Sequence, residues 1–272
     1  MAGRAEADTA GRDFVEALAR GLDVLTAFGP TRMAMTVSDV AAHTGLARPT
    51  ARRLLLTLEA LGYVRSNDGL FSLTTKVLEI GTSVIAAQGL WDVARPHMVD
   101  LVAQTGESSS MAQLDGSDIV YTARVPVPKI IALAVNIGTR FPAVATSMGR
   151  VLLADLDPSE VDAALEMPSG SGIVPRIRLE GDALRRDLDE VRERGFALSD
   201  ELLSMGIRSA AVPVRDVSGR AVAAMNVTVH AAETSIETLT GGYLPLLQRA
   251  AAAVTEEWAA LSRLPTAEVP TP

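Results

Sequence analysis

The stretch TVSDVAAHTGLARPTARRLLLTLEALGYV, residues 36–64, decides how the chain begins to fold. Thr36 followed three residues later by Asp39 is a capping-box start, in which hydroxyl and carboxylate satisfy amides that the first helical turn leaves unpaired. Val37, Val40, Ala41 and Thr44 then share one face, and Gly45 supplies a stop. After Gly45-Leu46-Ala47 a second run places Ala51, Leu54, Leu55, Leu58 and Leu61 on one stripe. Pro49 lies where a first turn tolerates it, and Gly62 closes the run. Two short helices joined by a three-residue turn predict a helix-turn-helix, the second helix carrying Arg48, Thr50, Arg52 and Arg53 on its outer side.

Working outward, Phe14, Leu18, Leu22, Leu25 and Phe28 recur at helical spacing up to Gly29-Pro30, which predicts a preceding helix. Downstream, YVRS and LFSL flank Asn67-Asp68-Gly69, a strong hairpin signal. Three helices and a hairpin make a winged helix-turn-helix, whose third helix enters the major groove of DNA. Arginine suits that surface because its planar fork matches phosphate and guanine edges. The candidate DNA-contact set is Thr36, Arg48, Pro49, Thr50, Arg52, Arg53 and, on the wing, Arg65.

The charge distribution fits. The whole chain carries −8, the wrong sign for nucleic acid, yet residues 30–66 hold five arginines against two acids. That segment is therefore +3 and the remainder −11. A locally basic module on an acidic body touches phosphate with one part only. There is no cysteine, and the three histidines, His43, His97 and His230, are scattered, so no disulfide, zinc site or other cofactor is expected. No apolar run reaches the roughly 18 residues of a membrane span, and the start MAGRAEADTAGRD reads as neither signal nor transit peptide, giving the expectation of a cytoplasmic protein without a membrane partner.

A length of 272 residues suits two domains. A connecting helix is expected from Leu73 to about Gln88, and another helical stretch from Trp91 to Gly106, interrupted or kinked at Pro96. Strands are expected at Ser108–Leu114, Ile119–Val125, Ile130–Asn136, Ile207–Arg215 and Ala221–Val229. Helices are expected at Ser147–Leu156, Ser159–Glu166, Asp182–Arg194 and Ile236–Leu261. This mixture predicts an α+β second domain. It contains no nucleophile elbow, phosphate loop or H-E-x-x-H, and few histidines, so binding rather than catalysis is its expected work. The segment ATSMGR, residues 145–150, is the suggestive one. A Ser/Gly-containing turn opening a helix offers unpaired amides to a carboxylate, although Thr146 or Ser147 capping its own helix would explain the same residues.

The ordered motifs ARGLDVLTAF, residues 36–64, LFSLTTKVLEIG, NIGTRFPAVATSMGRVLLA and RSAAVPVRDVSGRAVAAMNV together resemble the IclR-type bacterial transcriptional regulators, from Phe14 to about Leu264. SSSMAQLDGSDIVYTARVPVPKII is most similar to the branch that responds to protocatechuate and 4-hydroxybenzoate. The resemblance implies a flexible start at 1–13, a winged helix-turn-helix at 14–75, a linker helix at 76–90, a GAF-like effector-binding domain with an antiparallel sheet at 91–264, and a frayed tail at 265–272. It implies Ser147 and Met148 as amide donors to a small carboxylate effector, with polar contacts from Ser199, Ser209, Asn226 and Thr228. Ile130, Phe141 and Ile207 would form the apolar wall. Asn226 with Thr228, and Ile207 with Ser209, are two apart and share strand faces, whereas Met225 points the other way. Arg20 and Arg124 are further carboxylate partners to consider, against simple surface exposure.

Two stretches depart from the family's usual pattern. Ala47 stands where a serine would cap the third helix, and Leu202 and Ser204 stand where many relatives carry acids, making the nearby wall less negative. The expected protein is a homodimeric or tetrameric regulator on a pseudo-palindromic, double-stranded DNA operator. Two rivals are an enzyme carrying a winged-helix interaction module, which would turn over its bound acid, and a nonspecific nucleoid-associated protein, whose affinity would ignore DNA sequence.

Overall fold

The computed structural model describes residues 14–29, 31–80, 89–128 and 135–262. The chain divides into two compact units, Met1–Ala87 and Gln88–Pro272.

The first unit holds α1 (Glu16–Ala27), α2 (Val37–Thr44), α3 (Arg48–Ala60), β1 (Val64–Asn67) and β2 (Leu70–Leu73). Thr36 and Asp39 close the full capping box on α2, the Asp39 amide donating to the Thr36 hydroxyl and the Thr36 amide to the Asp39 carboxylate. The Thr36 amide and hydroxyl, both donating to it, hold the Asp39 carboxyl below the usual carboxylate range. Gly45 ends α2 in the left-handed region at φ 68°. Asp68 and Gly69 at φ 49° and 79° form the two-residue turn of the wing, with Asn67 paired to Leu70. Val24, Val40, Leu55 and Phe71 are buried in the small core between these elements.

Two expectations change here. The stripe read on the first helix is buried only at its end: Phe14, Leu18 and Leu22 are exposed, while Val24, Ala27 and Phe28 carry the contact. Leu73 belongs to the wing, so the connecting helix starts later; residues 77–80 are helical, and its remainder lies outside the described residues. At α3, Ala47 takes the N-cap position without a side-chain bond. Ala47→Ser is therefore expected to stabilise the first unit by about 1 kcal/mol. Native-state hydrogen exchange of the α3 amides would show it; unchanged protection would mean that packing alone sets this end.

The second unit is one antiparallel sheet between two helical layers. Its elements are α4 (Leu90–Thr105), β3 (Ser108–Asp115), β4 (Asp118–Val125), β5 (Arg140–Pro142), α5 (Ser147–Ala154), α6 (Pro158–Glu166), α7 (Gly181–Arg194), β6 (Ala197–Asp200), β7 (Ile207–Arg215), β8 (Ala221–His230) and α8 (Leu244–Ser262). Spatial order is β5-β4-β3-β8-β7-β6. Met111, Ala123, Val212 and Met225 face the core shared with α4 and α8. Ala112, Tyr121, Ala211 and Ala224 face the core shared with α5 and α7. The alternation of strand side chains thus splits the domain into two cores.

Helix α4 runs through Pro96 without a break. A single helix from Ile236 is not seen: a short turn, Ile236–Thr238, passes through a π-helical segment, Leu239–Tyr243, before α8. Pro245 explains this, since it has no N–H for the carbonyl four residues back and its ring crowds that turn, which Gly241 and Gly242 let widen. Strand β5 at Arg140–Pro142 and strand β6 were not expected, and the strand expected at Ile130–Asn136 falls mostly outside the described residues, Val135 and Asn136 being in no strand.

Candidate functional site

Two surfaces follow from these units, one on each. On the first, the outer side of α3 presents Arg52 and Arg53, both exposed and, among the described residues, without an ion pair. Arg48 donates to the Ser38 hydroxyl on α2, which holds the two helices of the turn together. Arg65 lies on the wing and donates to Ser72 at 3.1 Å. Thr50 is half-buried and Pro49 exposed in the first turn of α3. Thr36 donates its hydroxyl proton to Asp39 at 2.7 Å, so it fixes the start of α2 rather than offering a donor to phosphate.

The second surface is a cleft on the face of the sheet that bears α5. Register places the polar residues in rows. Arg124, Ser110, Asn226 and Ala211 pair across β4, β3, β8 and β7, and Ser108, Thr228, Ser209 and Ser199 pair in the adjacent row. Above them lies the start of α5. Thr146 caps it by accepting from the Gly149 amide at 3.0 Å, and the Arg150 amide bonds to the Thr146 carbonyl. The amides of Ser147 and Met148 are the two first-turn donors left over, at the positive end of the helix dipole. Ser147 is pinned to the sheet by a 2.7 Å contact between its hydroxyl and that of Ser209. Ser199 donates to the Ala145 carbonyl at 3.3 Å from the neighbouring strand.

Of the expected effector set, Ser147, Met148, Ser199, Ile207, Ser209, Asn226 and Thr228 all line this cleft. Ile130 lies outside the described residues. Phe141 does not line it: buried at 2%, it stacks edge-on against Tyr121 with ring centroids 5.5 Å apart, and Tyr121 takes the wall position. Asn226 is occupied by the sheet itself, accepting from the Ser110 amide at 3.0 Å and donating to Thr228 at 3.0 Å. Its removal would orphan both partners, so loss of ligand response in Asn226→Ala would not separate contact from scaffold. In the segment 200–206 it is Leu203 that lines the cleft; Leu202 and Ser204 do not, while Glu201 accepts from the Gly206 amide at 2.6 Å. Glu107, Tyr121, Arg124 and His230 line it too and were not in the expected set.

Burial pushes the Tyr121 phenol up to about 12, so it remains a protonated hydroxyl. Arg124, which surface exposure would also have explained, is half-buried in the wall. Arg20, the other candidate, belongs to the first unit, where it is ion-paired with Glu16 on α1.

A helix-turn-helix followed by a separate C-terminal domain is also what comparison finds. Residues 17–68 match the IclR helix-turn-helix domain, and residues 82–256 match the bacterial transcriptional regulator IclR C-terminal domain. The chain belongs to the IclR family of bacterial transcriptional regulators. It is similar to the Pca regulon regulatory protein of Pseudomonas putida, 35% identical over 90% of this chain and 84% of that one. It is 34% identical to the p-hydroxybenzoate hydroxylase transcriptional activator of Acinetobacter baylyi, over 88% of this chain and 90% of that one. Its fold matches that of an IclR homologue from Microbacterium hydrocarbonoxydans crystallised with 4-hydroxybenzoate, with TM-score 0.77 at 24% identity, covering 90% of this chain and 99% of that one. The regulator therefore joins a DNA-binding helix-turn-helix to a C-terminal IclR domain.

Proposed function

We propose that the second unit's cleft takes the carboxylate of a small aromatic acid, of the protocatechuate or 4-hydroxybenzoate kind, and that its occupancy sets the affinity of the first unit for an operator upstream of aromatic-catabolism genes. The observation that carries this reading is the start of α5: the Ser147 and Met148 amides face a cleft whose floor adds the Ser209, Ser199 and Thr228 hydroxyls. Amides at a helix start favour a negative ligand without a full charge of their own. The relative named as the p-hydroxybenzoate hydroxylase transcriptional activator and the neighbour crystallised with 4-hydroxybenzoate point to the same ligand class. Homo-oligomerisation would set paired α3 helices on half-sites about one helical turn apart. Ligand acts only by binding the DNA-competent and DNA-incompetent arrangements with different affinities.

The test is fluorescence anisotropy with the protein's own upstream DNA and a scrambled control at fixed salt, with and without each acid. Specific binding shifted by an acid is the expected result; binding indifferent to sequence would overturn the regulator reading of α3, and binding blind to both acids would overturn the effector class. Arg52→Ala is expected to weaken operator binding by about 1–3 kcal/mol while acid binding persists. An unchanged operator affinity would remove Arg52 from the interface.

A further inference from the structure

The carboxylate grip at α5 gives no task to the arginine of the cleft wall. Arg124 on β4 is half-buried in the wall and, among the described residues, has neither an ion-pair partner nor a hydrogen-bond acceptor. The Tyr121 phenol is its electrostatic neighbour, and among the described residues that hydroxyl has no hydrogen-bond partner either. Strand alternation would send two residues three apart to opposite faces, but a bulge intervenes. Ser110 pairs with Arg124, Met111 with Ala123 and Ala112 with Tyr121, so Thr122 is the extra residue and both side chains share the cleft face. A half-buried guanidinium without a carboxylate is costly unless something in the cleft accepts from it.

Register also places this pair away from the α5 grip. Ser147 meets the sheet at Ser209 on β7, and Arg124 lies on β4, with β3 and β8 between. Three strand spacings put the two attachment points about 14 Å apart at the level of the backbone. Long side chains narrow that gap, but the two donor groups approach a ligand from different ends. One carboxylate at α5 satisfies only the first.

Building on the effector reading above, we propose that Arg124 with Tyr121 forms a second pole of the cleft that recognises a distal oxygen on the effector. The regulator thereby selects acids bearing an acceptor opposite the carboxylate, either a phenolic oxygen or a second carboxylate, over acids that lack one.

Calorimetric titration of benzoate, 4-hydroxybenzoate and terephthalate into the full chain separates the outcomes. Wild type is expected to bind the two para-oxygenated acids at least roughly tenfold more tightly than benzoate, and the stronger of the two tells phenol from carboxylate. Arg124→Met is expected to erase the preference by weakening both oxygenated acids while leaving the benzoate Kd in place. Arg124→Gln, which keeps a neutral donor, should retain part of the preference for 4-hydroxybenzoate and lose that for terephthalate. Equal weakening of all three acids would overturn the proposal, because Arg124 would then grip the common carboxylate or merely shape the cleft. No change in the variants, or no preference in wild type, overturns it as well and leaves the effector reading standing. If wild type takes none of the three acids, the effector reading falls together with the inference.

Discussion

Asp187→Ala is expected to destabilise the second unit by about 3–5 kcal/mol, and by more than Arg150→Met does. Arg150, on α5, is 2% exposed and donates to both Asp187 oxygens on α7, at 2.7 and 2.9 Å. Its other terminal nitrogen donates to the Leu198 carbonyl on β6, and among the described residues its Nε has no partner. The pair thus ties three elements around the helix whose start forms the cleft. The two partners are not equivalent, because the Asp187 side chain keeps 21% of its exposure. Removing the acid strands a cation that water does not reach. Removing the cation strands an acid that water partly solvates, together with one carbonyl, and methionine fills most of the volume. About 1–3 kcal/mol is expected for that second change. The double variant should therefore resemble Arg150→Met rather than the sum of the two, since the stranded charge is gone. Urea titration followed by tryptophan fluorescence reads this unit alone, because both tryptophans of the chain, Trp91 and Trp258, pack against its core. Arg150→Met proving the worse of the two would refute the account.

The same geometry explains what could be read from the residues and what could not. The helix-turn-helix was legible because local chemistry specifies it: Thr36 with Asp39, Gly45 and the Asp68-Gly69 turn each act within a few residues. Ser147, Ser209 and Thr228 were reached through family resemblance, with alternation along β7 and β8 placing neighbours on one face. Arg124 was only a speculative partner, and Tyr121 was not considered. A bulge at Thr122 reverses the alternation, and it depends on how β4 registers against β3, which periodicity along a single strand does not show. Phe141 was assigned to the wall by the family resemblance, whereas β5 pairs with β4 and sets it behind Tyr121. The exposed Phe14, Leu18 and Leu22 show a related limit: helical spacing identifies an apolar stripe but not how much of it the fold covers.

Gly149→Ala is the substitution expected to damage the cleft most directly. A β-carbon on Gly149 would lie 2.2 Å from the Ala143 carbonyl oxygen, 2.4 Å from its Cα and 2.6 Å from its carbonyl carbon. All three are backbone atoms, so no rotamer change makes room; α5 and the turn Ala143–Ala145 must separate. That turn carries the Ala145 carbonyl bonded by Ser199, and α5 carries the Ser147 hydroxyl held to Ser209, so separation pulls apart the elements that aim the Ser147 and Met148 amides. Overpacking a close-packed interior costs typically about 1–3 kcal/mol and sometimes more, and a clash confined to backbone belongs at or above the top of that range. Glycine is also the poorer helix former, so alanine at a site with space would stabilise. Gly21 on α1 is such a site: beyond its chain neighbours and its own helix backbone, no atom of the described residues lies within 4 Å of the added carbon, and Gly21→Ala is expected to gain about 0.5–1 kcal/mol. The pair of variants isolates the steric term, since both gain the same helix propensity. Gly149→Ala should lower the urea midpoint seen by Trp91 and Trp258 and abolish calorimetric binding of the aromatic acids. A variant that melted like wild type and still bound acid would mean that α5 does not need its close approach to Ala143 to present its amides, and the α5 account of the cleft would have to be abandoned.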